Sequence, residues 1–166
     1  MIQYMLYTGG EFIVYSKEEF DNAKTRILKY IIFKKRTENE VRMKFQKDFD
    51  ENMLEDIIQY LKEAKYIDDM DYIKKTVNNF KILKNLSIKE VKYKLLAKGL
   101  NKNLIENYVY ENMDELEEYE INSASKIITK KKKDSEDNAI KAFLLKKGYK
   151  QENINQAFEN YVEVNI

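Results

Sequence analysis

The sequence predicts an all-α protein: three tandem three-helix repeats stacked into an elongated, curved body, preceded by a short N-terminal β-hairpin. Three observations predict it. Apolar residues recur at helical spacing from Ser16 onward. A set of matched residues returns with a period of about 50, the mark of a repeat architecture. The sign of the charge alternates with that same period. At 166 residues a globular chain buries about 70% of its unfolded surface, so a second independent core is not expected.

The opening residues read as strands. Tyr4 to Tyr7 and Phe12 to Tyr15 are apolar and aromatic runs joined through Thr8-Gly9-Gly10, a turn chemistry that tolerates positive φ. The glycine pair lacks the Lys-Ser/Thr of a phosphate loop. Ser16 with Glu19 then makes a capping-box pattern, and Ala23, Ile27 and Ile31 fall on one helix face with Leu28 and Ile32 beside them. Three later stripes follow the same logic: Met53, Ile57, Leu61 with Leu54 and Ile58; Ile105, Val109, Met113 with Tyr108; and Ile154, Phe158, Val162 with Ala157 and Tyr161. Each is a core face.

These three stripes are preceded by segments that also match. Thr37-Glu38-Asn39-Glu40-Val41 and Phe45 correspond to Ser87-Ile88-Lys89-Glu90-Val91 and Leu95. Val91, Leu95, Leu96, Gly99, Leu100 and Ile105 correspond to Ile140, Leu144, Leu145, Gly148, Tyr149 and Ile154. The chain therefore divides into a hairpin over 1–16 and repeats over 17–67, 68–117 and 118–166. Each repeat has a longer first helix, a short second helix entered through Ser or Thr, a tight turn and a third helix. Gly99 and Gly148 supply the left-handed residue that ends the second helix, whereas the first repeat places Asp48-Phe49 there and needs a different turn. Asp68 and Asp69 stand before Tyr72, Ile73, Val77 and Phe80. They read as a helix N-cap with favourable charge rather than a metal pair.

Charge follows the repeats. Lys24 to Lys47 holds nine basic and two acidic residues, and Asp48 to Tyr72 holds two basic and nine acidic. Ile73 to Asn103 has nine basic against one acidic, and Leu104 to Asn122 has none against seven. Ser123 to Lys150 has nine against three. A chain of net charge +1 is thus expected to carry a polarised surface. Two readings stand side by side: a basic stripe that docks on an acidic partner, or helices of opposite charge attracting each other within the stack. The stripe comprises Lys34, Lys35, Arg36, Arg42, Lys44, Lys84, Lys89, Lys92, Lys94 and Lys98, with Lys130, Lys131, Lys132 and Lys133. That last run also complements a helix dipole. Among the 13 Tyr residues, Tyr30, Tyr72, Tyr108 and Tyr161 lie on core spacing and read as packing residues.

Composition narrows the chemistry. Cysteine and histidine are absent, which removes disulfides, thiolate nucleophiles and the commonest acid-base groups and metal ligands. No enzyme activity, cofactor or metal is expected. No run reaches the roughly 18 apolar residues of a membrane span, and no signal core is seen at the N-terminus, so a cytoplasmic monomer without membrane contact is expected.

Arg36-Thr37-Glu38-Asn39-Glu40-Val41-Arg42-Met43-Lys44-Phe45, then Ala64-Lys65-Tyr66-Ile67-Asp68-Asp69 and Tyr72, resembles the opening signature of RecX proteins. Lys98-Gly99-Leu100 with Ile105, and Lys146-Lys147-Gly148-Tyr149 with Ile154, resemble that family's later repeats. The likeness covers nearly the whole chain, with Lys65 where the family usually has Gly and Ile73 where it usually has a small residue. The resemblance implies a bacterial regulator of the RecA recombinase with no active site. Such a protein binds the RecA nucleoprotein filament and hinders its growth, ATPase and strand exchange, with contact to DNA in the filament left open. A stand-alone helical nucleic-acid-binding protein, its short second helices acting in recognition, is the alternative. An enzyme built on Asp68 with Asp69 or Asp71 ranks last.

Overall fold

The computed structural model describes residues 3–8 and 11–164. Strands β1 (Gln3–Thr8) and β2 (Glu11–Ser16) pair antiparallel in the register Gln3↔Ser16 through Thr8↔Glu11. The predicted Gly9-Gly10 turn lies outside the described residues. Nine helices follow among the described residues: α1 (Lys17–Phe33), α2 (Glu38–Phe45), α3 (Glu51–Glu63), α4 (Asp69–Leu83), α5 (Ile88–Leu96), α6 (Lys102–Glu111), α7 (Met113–Lys131), α8 (Asp137–Lys146) and α9 (Gln151–Val164). The protein is all-helical apart from the hairpin. Two compact units form, Met1–Tyr72 with Lys98–Leu100, and Ile73–Ala97 with Asn101–Ile166.

Local sequence explains where these helices start and stop. Ser16, Thr37 and Ser87 each make a full capping box, with Glu19, Glu40 and Glu90 as the reciprocal acids. Their hydroxyls satisfy amides that a helix start leaves without partners. Asp50 and Asn101 cap α3 and α6 by accepting from the amides two and three residues on. The third short helix differs from expectation: α8 is entered through Glu136, whose side chain makes no cap bond. Asn112, at φ −120°, separates α6 from α7, so Met113 opens α7 instead of closing the preceding stripe.

The turns after the short helices use two solutions. Gly99 (φ 73°) and Gly148 (φ 88°) are left-handed, where glycine meets no Cβ penalty. After α2, Asp48 and Phe49 both return their amides to the Phe45 carbonyl, at 2.9 and 3.2 Å, and no left-handed residue is used there. Lys65 after α3 does take a left-handed backbone, φ 60°, although it carries a side chain.

In the first unit the core gathers Ala23, Ile27 and Ile31 from α1, Val41 and Phe45 from α2, Leu54, Ile57, Ile58 and Leu61 from α3, and Ile67. The Phe45 ring meets Tyr30 edge-on at 5.6 Å and stacks on Phe49 at 5.7 Å. In the second unit Ala124 and Ile128 of α7 pack with Ile140 and Leu144 of α8, Tyr149, and Ile154, Ala157 and Phe158 of α9. Two expected stripe members are instead well exposed, Ile32 at 71% and Val162 at 53%. Each stands at the edge of its helix's apolar arc.

Candidate partner-binding surface

The starts of α2 and α5 are built alike. Thr37 Oγ1 accepts from the Glu40 amide at 3.1 Å and donates to the Lys98 carbonyl at 2.9 Å. Ser87 Oγ accepts from the Glu90 amide at 3.0 Å and donates to the Lys147 carbonyl at 2.7 Å. One hydroxyl therefore caps a helix and ties down a turn some 60 residues later. Beside each tie, Lys98 Nζ meets Glu40 and Lys147 Nζ meets Glu90, both at 3.2 Å. Gly99 and Gly148 come so close that an added Cβ would lie 2.0 Å from Asn39 Nδ2 and 2.7 Å from Lys89 Cδ.

The first helical amide goes to an acid in both places. Glu38 N donates to Asp69 Oδ1 at 2.9 Å, and Ile88 N donates to Glu120 Oε1 at 2.6 Å. Asp68, not Asp69, caps α4, accepting from the Asp71 amide at 2.9 Å. Burial is the largest influence on Asp69; with the Glu38 and Asp68 charges it outweighs the Glu38 amide bond and holds the carboxyl above the usual range. Burial also opposes charge on Glu38, but Lys62 and Arg42 outweigh it and hold that carboxyl low. Glu120 does not stand out in the sequence, where it is one acid of a strongly acidic block. It is completely buried and also accepts from Lys150 N at 3.1 Å and Asn153 Nδ2 at 2.7 Å. Its one sequence signal is its spacing from Asp69, which matches the period of the corresponding segments.

The basic stripe divides into two groups. Arg42 spans from α2 to Glu55 of α3 and also meets Glu38 at 2.7 Å, while Lys92 spans from α5 to Glu106 of α6 at 2.6 Å. Lys35 pairs with Asp71 at 3.4 Å, Arg36 lies over the Tyr30 ring at 4.4 Å, and Lys132 pairs with Asp137. With Lys98, these six cations have partners within the fold, five of them acids and, for Arg36, a ring. Lys34, Lys44, Lys84, Lys89, Lys94, Lys130, Lys131 and Lys133 make no ion pair among the described residues. Lys44 and Lys94 occupy the same position on α2 and α5, three residues after Val41 and Val91, and both are exposed. Among the described residues no cluster of three or more acids could hold a metal ion, and no helix is long and apolar enough to cross a membrane.

Comparison with known proteins places this architecture. No protein-family model matches the chain. A regulatory protein RecX of Staphylococcus carnosus is 35% identical over 138 residues, covering 80% of this chain and 51% of its own length. The chain thus spans about half the length of that relative. A regulatory protein RecX of Clostridium beijerinckii is 30% identical over 159 residues, covering 90% of this chain and 72% of its own length. A crystal structure of RecX from Lactobacillus salivarius superposes with a TM-score of 0.76 at 22% identity, covering 88% of this chain and 98% of that one, which establishes the shared fold. With the paired capping boxes and the fold in agreement, the chain belongs to the RecX family of regulatory proteins.

Proposed function

We propose that this protein binds the RecA nucleoprotein filament and restrains its growth, ATPase and strand exchange, acting by contact and not by catalysis. Family membership carries the reading. The unpaired lysines at equivalent places on α2 and α5 support it, because a filament presents the same acidic features at regular intervals and rewards several weak contacts made together. In this reading the segments 17–67, 68–117 and 118–166 are three copies of one docking unit.

The decisive experiment is the ATP turnover of RecA on single-stranded DNA as this protein is added. Turnover should fall as stoichiometry is approached, and a rate that never changes removes the proposal. Lys44→Glu with Lys94→Glu should raise the concentration needed for inhibition roughly tenfold, since like charge set against an acidic surface is repelled. The helical circular dichroism signal should be unaltered, because neither side chain is paired within the fold.

A further inference from the structure

Within the second unit, the end of α4, the last turns of α7 and the last turns of α8 surround an open cavity of about 440 Å³. Lys84, Lys126, Lys130, Lys131 and Lys147 line it together with Phe143, and no Asp or Glu is among its lining residues. Lys84, Lys126 and Lys130 are exposed and make no ion pair among the described residues. Lys147 shares Glu90 at 3.2 Å. Lys131 Nζ sits 4.2 Å from the centroid of the Phe143 ring, and Lys147 Nζ 5.8 Å from it. Phe143 is 36% exposed and Leu83, also on the lining, is 71% exposed.

Helix C-termini attract a cation or two by their dipoles, which accounts for some of these lysines. It does not account for five around one hollow without a lining carboxylate, since like charges so placed repel unless an anion joins them. The apolar part selects among anions. A bare phosphate has no use for an exposed ring and an exposed Leu, whereas a nucleotide offers both a phosphate and a flat face to stack. Phe143 also stands at the position that Lys44 holds on α2 and Lys94 on α5, so an aromatic takes the place of a cation beside this hollow.

We propose that this cavity is a binding site for single-stranded nucleic acid, with backbone phosphates held by the lysines and one base laid against Phe143. The site is complete in this chain alone, so it goes beyond the RecA reading and neither depends on it nor supports it. Double-stranded nucleic acid is disfavoured, because its base faces are already stacked on one another.

The test is fluorescence anisotropy of a labelled oligothymidine of about 15 nucleotides with the full chain and no RecA. The strand should bind with a log-log salt slope near about −3, as expected for about four neutralised phosphates. Phe143→Ala should weaken binding about 5- to 100-fold, the range for loss of one stacked base, while Phe143→Tyr keeps the ring face and should bind like the parent. Lys126→Glu with Lys130→Glu, both on the exposed side of α7, should weaken binding at least as much. Strand affinity unchanged by Phe143→Ala overturns the proposal, as does a duplex bound as tightly as the strand. ATP displacing the strand at equal concentration also overturns it, and assigns the hollow to a free nucleotide.

Discussion

Lys65 follows α3 with φ 60°, a backbone that an L side chain adopts only against steric resistance. Its side chain is 79% exposed, and its one ion pair among the described residues, to Asp68, is long at 3.8 Å. Lys65→Gly should therefore stabilise the protein by about 0.5–1 kcal/mol, read as a rise of roughly 1–3 °C in melting temperature. Asp69 presents a different balance, a needed acceptor whose charge is unwelcome. Asp69→Ala leaves the Glu38 amide without its partner and should cost about 1–2 kcal/mol. Asp69→Asn keeps an acceptor and removes the charge. Because the folded-state carboxyl of Asp69 is held above its unfolded value, the wild type gains stability as pH falls through that raised value and loses it as pH rises. In denaturant titrations the Asp69→Asn variant should accordingly compare best with the parent near neutrality and worst in acid. A relative stability of that variant that ignores pH would contradict the burial assigned to this carboxyl.

At the level of helices, one carboxylate of α7 holds the start of α5 and the entry to α9. Glu120 alone satisfies the Ile88 and Lys150 amides and the Asn153 side chain, and it does so without an opposing cation among these three donors. Glu120→Ala should leave those donors unsatisfied and cost about 2–4 kcal/mol, while Glu120→Gln, which keeps one carbonyl oxygen, should recover part of the loss in chemical denaturation. Equal stability of the Ala variant and the parent would mean that water replaces the carboxylate at no cost. What can be read from sequence at this level, and what cannot, divides along the range of the interaction. Ser16, Thr37 and Ser87 announce their helices because a capping box closes within four residues, and Gly99 and Gly148 announce their turns because a left-handed backbone is a local demand. Glu120 gives no such notice, since its partners lie about 30 residues away on either side. Ile32 reads as core and is exposed, because periodicity fixes the direction a side chain leaves a helix but not how far the next helix extends. Glu136 stands in place of the expected Ser or Thr, and no side-chain bond caps the first turn of α8.

For the molecule as a whole, the alternating charge blocks serve two purposes that residue counts cannot separate. Arg42 with Glu55 and Lys92 with Glu106 bind short helices to their successors within each unit, whereas Lys44 and Lys94, two residues further along the same helices, have no such partner among the described residues. Arg42→Glu with Lys92→Glu should therefore lower the melting temperature by several degrees, on the order of 1–2 kcal/mol of lost and reversed pairing, in contrast to the intact fold expected for the Lys44 and Lys94 reversal. Lower stability with inhibition retained in the first variant, and inhibition lost with stability retained in the second, is the pattern that assigns one set to the scaffold and the other to the partner.

The Thr37 and Ser87 hydroxyls each have a single proton, and it is committed to a carbonyl far downstream. Melting of the turn at Lys147 thus frees the hydroxyl that caps α5 to turn away from its helix, and melting of the turn at Lys98 does the same at α2, each within its own compact unit. Amide exchange at Glu40 and Glu90 should then report on turns that neither residue belongs to.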